Sequence, residues 1–401
     1  MNRKLFLTAA LSSLTILTGC IVSESDPSDP GTGGGGGEAT TGGGGQGGEE
    51  TTGGGGEGAG GGQPAEMGYV LSMSNAPEGN ELLVFERDAD GALTSVESLP
   101  TGGMGSGAGL GSQGAITTSP DGQFLYVVNA GSDQISSFRI YDDHLALVDL
   151  VSSGGERPVS VTASDDRIFV VNADGDNVQG FTVDEGILTA VASQPLSGTG
   201  TGPAQVGLTP GGDALIVTEK ATNSLVTYWV APDGTMSAPT VSASVGATPF
   251  GFDFDSSGVM VVSEAFMGNE GESAASSYVL GSVEPEPISS SVGSGQSAAC
   301  WLVIARDQFA YTTNTASNTI SGYTIGEDGS IDLFEDAGVT IDLGPDQGPL
   351  DAALSAGDEY LYVINNGSDT IVGFAIADDG SLEQLPGSFG VPETALGLAA
   401  R

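Results

Sequence analysis

From Met67 onward, hydrophobic residues fall in short runs separated by turn residues, and the runs repeat. One unit reads Ala115-Ile-Thr-Thr-Ser-Pro-Asp-Gly122, then Phe124-Leu-Tyr-Val-Val-Asn129, then Ile135-Ser-Ser-Phe-Arg-Ile140, then Leu145-Ala-Leu-Val-Asp-Leu150. These are four strand-like runs rich in β-branched and aromatic residues, with turn formers between them. The second run recurs along the chain and ends in turn at Asn75, Asn129, Asn172, Glu219, Glu264, Asn314 and Asn365, a mean period of about 48 residues. Seven units of four strands predict an all-β chain, a seven-bladed β-propeller of four-stranded antiparallel blades. The pairs Asp90-Gly91, Asp233-Gly234, Asp328-Gly329 and Asp379-Gly380 fall between third and fourth strands, where a tight hairpin needs positive φ. The first unit lacks an innermost strand, and the run Thr394-Ala-Leu-Gly-Leu-Ala-Ala400 is one too many at the end. Pairing the two completes blade 1 and leaves no unpaired inner edge.

Three segments are predicted: a leader over 1–19, Cys20 with a glycine-rich tether over 20–66, and the propeller over 67–401. Arg3 and Lys4 precede an apolar stretch from Leu5 to Leu17, too short for a spanning helix and flanked as a signal peptide is. It ends in Leu17-Thr18-Gly19-Cys20, which resembles the lipobox of bacterial lipoproteins. That resemblance implies a lipid-modified Cys20 and a place in the cell envelope, at the outer membrane since no Asp follows the cysteine. A multiply acylated cysteine is a stable anchor, at roughly 0.8 kcal/mol per buried methylene. The tether buries nothing that offsets glycine's ordering entropy, so it reads as a flexible linker with a reach on the order of 35 Å. With Cys20 taken by lipid, no intrachain disulfide is open to Cys300, which reads as a small buried apolar residue.

Charge narrows the partners. The chain of 401 residues carries 52 acidic and 9 basic side chains, a net charge of −43. Nucleic acid is excluded, because phosphate backbones bind through Lys and Arg. An anionic lipid surface would repel the domain, so the membrane is met only through the anchor. The same charge disfavours a phosphorylated substrate. The expected partner is a small neutral lactone or glycan, or an envelope protein, with the chain itself a monomer.

In a propeller the turns after the second strands and those leading into the innermost strands gather at one mouth of the channel. That places Asn129, Asn172, Asn314, Asn365, Gln205, Phe250 and Asp351 there as ligand-binding candidates. An Asn repeated in five blades also reads as a turn former capping its own backbone. Glu219 and Glu264 break the repeat in blades 4 and 5, and Lys220 is the one lysine after the leader. With Arg157 they form the catalytic candidates: a Glu general base on water, and Lys220 or Arg157 on the oxyanion. Lys220 also reads as the cation of a compensating ion pair with those carboxylates. No cofactor is expected, although Glu219 and Glu264 leave Ca²⁺ or Mg²⁺ open as oxygen-liganded cations. Residues Met267 to Ser277, where a tight turn is replaced by Gly, Asn and Glu, are where a loop over the mouth is expected.

The segments Ser119-Pro-Asp-Gly-Gln-Phe-Leu-Tyr-Val-Val-Asn129 and Tyr360-Leu-Tyr-Val-Ile-Asn365 resemble the Tyr-Val-Thr-Asn repeat of bacterial surface propellers. The whole of 67–401 resembles the seven-bladed lactonase family, which includes 6-phosphogluconolactonase and fungal carboxymuconate cyclase. The resemblance implies the fold and an active mouth containing His, Arg and Glu. This chain departs from it: His144 is the only histidine and sits in a third-to-fourth strand turn on the opposite face. Two readings follow, a ligand- or partner-binding propeller using the channel mouth, and a lactonase-like hydrolase acting there with a Glu base.

Overall fold

The computed structural model describes residues 68–401 except Val283. The predicted leader, Cys20 and the tether lie outside the described residues. Seven separate antiparallel sheets form the domain. In blade 2, for example, Ile116–Thr118 is innermost, followed outward by Phe124–Asn129, Gln134–Ile140 and Leu145–Ser152. The other innermost strands are Pro158–Ala163, Pro203–Leu208, Pro249–Phe254, Ala299–Ala305, Pro349–Leu354 and Leu396–Ala400. Each touches the next, and the last touches the first, so the seven enclose an axial channel. In blades 6 and 7 the outermost strand is split into two short pieces on the same neighbour.

Closure follows the predicted pairing. Leu396–Ala400 runs antiparallel to Gly68–Met73, with Val70 opposite Ala400 and Leu71 opposite Ala399. The Tyr69 and Arg401 backbones exchange hydrogen bonds of 3.1 and 2.9 Å. The second strands are sandwiched between neighbouring blades, and runs such as Phe124–Asn129 and Ala214–Glu219 are buried at every position. That double burial explains why these strands read as continuous apolar runs, while the outermost strands, such as Leu93–Pro100, are mostly exposed. The four Asp-Gly turns hold their glycines at φ between 80° and 82°. Two of them are gripped from the preceding blade of the ring: Tyr362 Oη donates to Gly91 O at 2.8 Å, and Tyr311 Oη to Gly380 O at 2.7 Å.

Cys300 is fully buried, as expected, but it is disulfide-bonded. The expectation of a fold held without a disulfide is therefore corrected. That expectation rests on lipid consuming the sulfur of Cys20, the other cysteine of the chain.

Candidate functional site

The channel mouth predicted to carry the site is closed by a strap. The connection from blade 1 to blade 2, residues 101–114, has no apolar periodicity and is rich in glycine. Its first half is fastened beside blade 1. Asn75 Nδ2 donates to Ala108 O at 2.9 Å, and Asn75 Oδ1 accepts from Ser106 N at 2.8 Å. Gly105 lies so close that a Cβ would come within 2.0 Å of the Asn75 backbone, which restricts this position to glycine. The second half crosses the mouth. Ser112 Oγ donates to Val159 O of blade 3 at 2.8 Å, and Gln113 N to Ala204 O of blade 4 at 2.9 Å. From blade 6, Trp301 Nε1 donates to Ser112 O at 3.0 Å. The Gln113 side chain pairs with the Leu302 backbone on both sides, donating at 2.6 Å and accepting at 2.9 Å. Leu110 and Ala115 are buried beneath. Lys220 donates through Nζ to Gly111 O and lies 4.9 Å from the Phe250 ring centroid, which itself packs on Trp301. Burial, with the Arg157 charge adding to it, lowers the Lys220 pKa to about 7.

Under the strap lies a cavity of about 240 Å³ whose polar lining includes Gln113, Thr117, Thr162, Gln205, Asp253 and Asp351. It reaches Leu208 and Phe254 at the far ends of their strands, so its opening is on the face opposite the strap. Gln205 is anchored to Phe252, accepting from its N–H at 2.7 Å and donating to its carbonyl at 2.9 Å. Asp351 is 3% exposed, and desolvation raises its pKa to about 7 despite hydrogen bonds from the Gly397 amide and Trp301. Desolvation likewise raises Asp253 to about 6, against hydrogen bonds from Ile304 N at 3.0 Å and Phe254 N at 2.8 Å. Carboxyls poised near neutrality both donate and accept, which suits hydroxyl and carbonyl groups of an uncharged ligand. No group of three or more metal-ligating side chains occurs among the described residues.

The repeat-breaking carboxylates do not meet the lysine. Glu219 is enclosed by Ser197 N at 2.9 Å, by the Ser197 hydroxyl and by Thr222 Oγ1 at 2.7 Å. Glu264 accepts from Gly246 N at 2.8 Å, Ser276 Oγ at 2.5 Å and Ser291 Oγ at 2.7 Å; burial raises its pKa, and those bonds oppose the rise. Both are 0% exposed, and no ion pair joins Lys220 to either among the described residues. They act as the asparagines do. Asn129 accepts from Thr101 Oγ1 at 2.6 Å and donates to Ser136 Oγ at 2.7 Å, and Asn314 donates to Thr319 and Ser321. Asn172 donates to Ser153 O and Asn365 to Gln347 Oε1. Each therefore ties its own strand to a neighbouring turn or strand, and all four asparagines are buried.

Arg157 sits on the rim, paired with Asp174 at 3.2 Å. Phe250 is fully buried, so of the ligand-binding candidates only Gln205 and Asp351 line the cavity. His144 is on an exposed turn, stacked on Tyr141 at 4.5 Å and bonded to Asp143 at 2.7 Å. The segment expected to overhang the mouth, Met267 to Ser277, begins in a short 3₁₀ turn, Phe266–Gly268, and runs into strand Ala274–Leu280, while the strap from blade 1 crosses the mouth. Sequence reasoning missed Asp253, although an acid between Phe252 and Phe254 in an inner strand was a legible signal.

Residues 78–198 match the family model described as Lactonase, 7-bladed beta-propeller. A putative 6-phosphogluconolactonase from Bacteroides fragilis aligns with a TM-score of 0.64 at 16% identity, over 85% of this chain and 99% of that one. The periplasmic gluconolactonase of Pseudomonas aeruginosa gives 0.63 at 18% identity, over 83% and 99%. At such identities the likeness is one of fold. An uncharacterized protein of Staphylococcus aureus is 41% identical over 68 residues, 16% of this chain, and the match spans a fifth of that protein's length. The chain is thus a seven-bladed β-propeller, and its residues 78–198 are similar to the lactonase family model.

Proposed function

We propose that this is a binding propeller that takes a small uncharged polar ligand into the axial cavity from the face opposite the strap. The observation that carries the reading is the strap itself: it occupies the mouth where the lactonase resemblance implies chemistry, and it leaves a blind, hydrogen-bonding cavity behind it. A volume near 240 Å³ suits a molecule the size of a monosaccharide or its lactone. Calorimetric titration with neutral sugars and lactones, run beside a titration of released acid, tests it. Saturable binding without turnover supports the reading, and steady hydrolysis overturns it.

The second reading, a lactonase, is favoured by the family match and by the names of the structural neighbours. Glu219 and Glu264 are each saturated with hydrogen bonds, so the base available to water is Asp351, held near neutrality by burial. It would take a proton as water's oxygen bonds to the lactone carbonyl carbon; the ring C–O bond then breaks and its oxygen takes a proton. Hydrolysis lost in Asp351→Asn would establish this reading.

We also propose that the domain is anchored in the cell envelope through lipid on Cys20. A thioether-linked lipid takes that sulfur in place of a disulfide, so the anchored chain is a form distinct from the disulfide-bonded one described above. Palmitate incorporation abolished by Cys20→Ala supports the anchor, and its absence in the unaltered chain overturns it.

A further inference from the structure

The face opposite the strap carries a second opening, a cleft of about 890 Å³ among blades 7, 1 and 2. It is lined by Arg87 and Arg401 together with Asp121, Asp142 and Asp358. The described residues include six arginines, and four of them, Arg139, Arg157, Arg167 and Arg306, have a carboxylate within 4 Å. Among the described residues Arg87 and Arg401 have none, and both are in this cleft. Arg401 donates through Nη1 to Gly122 O at 2.6 Å. Arg87 is 7% exposed, lies 5.5 Å over the Tyr360 ring and donates through Nη1 to Asp88 O at 3.3 Å, while its Nε is buried with no partner. A guanidinium held this far from water with no carboxylate side chain within 4 Å among the described residues is costly, and a ligand carboxylate brought against it from the cleft would relieve that cost through a charge-assisted hydrogen bond.

We propose that this cleft binds a small monoanionic carboxylate that also carries hydroxyl groups. Arg87 and Arg401 take its carboxylate, and Asp121, Asp142 and Asp358 accept from its hydroxyls. The three aspartates oppose a dianion, which separates this ligand from a phosphate ester. The site draws on no residue of the axial cavity and stands whether or not that cavity binds anything.

Calorimetric titration of the whole protein with gluconate, acetate and inorganic phosphate at about 150 mM salt tests it, that salt confining electrostatic attraction to short range. Gluconate is expected to saturate with a dissociation constant on the order of 1 mM. Arg401→Gln weakens it several-fold, Arg87→Gln at least about tenfold, and Arg87→Lys by an intermediate amount because the fork is lost and the charge kept. Melting temperature and near-ultraviolet circular dichroism report folding of each variant; should Arg87→Gln unfold, Arg401→Gln and Arg87→Lys decide. No saturation by gluconate up to about 50 mM, tighter binding of phosphate, equal binding of acetate, or affinity unchanged in the folded arginine variants would each overturn the proposal.

Discussion

Replacing Lys220 by methionine should change how stability depends on pH, by an amount that follows from the strap. The ammonium lies against Gly111 O and the Phe250 ring, and burial lowers its pKa from an ordinary 10.5 to about 7. Between those values the unfolded chain binds more protons than the folded one, so the free energy of unfolding rises with pH. Integrating the two titrations gives a gain of about 2 kcal/mol from pH 7 to pH 9, with a slope approaching 1.36 kcal/mol per unit. Asp253, raised to about 6, has nearly finished titrating before this window, while Asp351, raised to about 7, is half titrated at its start and takes back about 0.4 kcal/mol of the gain. Their slope has the opposite sign: the folded state holds protons that the unfolded state releases, so stability falls as pH climbs from about 4 to 7. The unaltered protein should therefore pass through a local stability minimum near neutrality. Urea denaturation at half-unit steps from pH 6 to 9.5, on the protein and on Lys220→Met, reads both effects. The variant should lose the rise above pH 7 and keep the fall below it. Parallel curves above pH 7 would show that the lysine is not held under the strap as described.

Three further outcomes follow from the same geometry. Asp351→Asn keeps the shape and removes the buried ionisation, so at pH 8 it should stabilise the fold by about 4 kcal/mol, read as a raised melting temperature, with little effect below pH 4. Glu264→Gln replaces one of the two acceptor oxygens by an N–H₂, either where Ser291 Oγ donates or where Gly246 N and Ser276 Oγ donate, and should cost about 1–3 kcal/mol in urea denaturation. Deleting residues 394–401 removes the inner strand of blade 1; loss of near-ultraviolet dichroism and early elution in gel filtration are expected, and a native-like monomer would contradict the closure.

The blades were legible because their determinants are local. Apolar runs such as Phe124–Asn129 and turns such as Asp90-Gly91 announce strand and hairpin within a dozen residues, and repetition supplies the ring. The strap was not legible, because its determinants are distant. Gln113 meets Leu302 and Ser112 meets Trp301 across 189 positions, and nothing in a glycine-rich connection marks those partners. Glu219 and Glu264 misled for a third reason. A carboxylate can replace an asparagine as a hydrogen-bond hub wherever its neighbours are all donors, so the break in the repeat reflects hydroxyls such as Ser276 and Thr222, which approach only in the folded blade.

The pairing of Val70 with Ala400 sets a schedule for biosynthesis. Strand Gly68–Met73 leaves the ribosome some 330 residues before its inner partner exists. At a translation pace of about 5–20 residues per second, that is a wait on the order of 15–60 s. Through that interval the newborn first sheet presents an open, sticky margin, and a factor that shields nascent chains would be needed most at the start of this polypeptide and least at its finish.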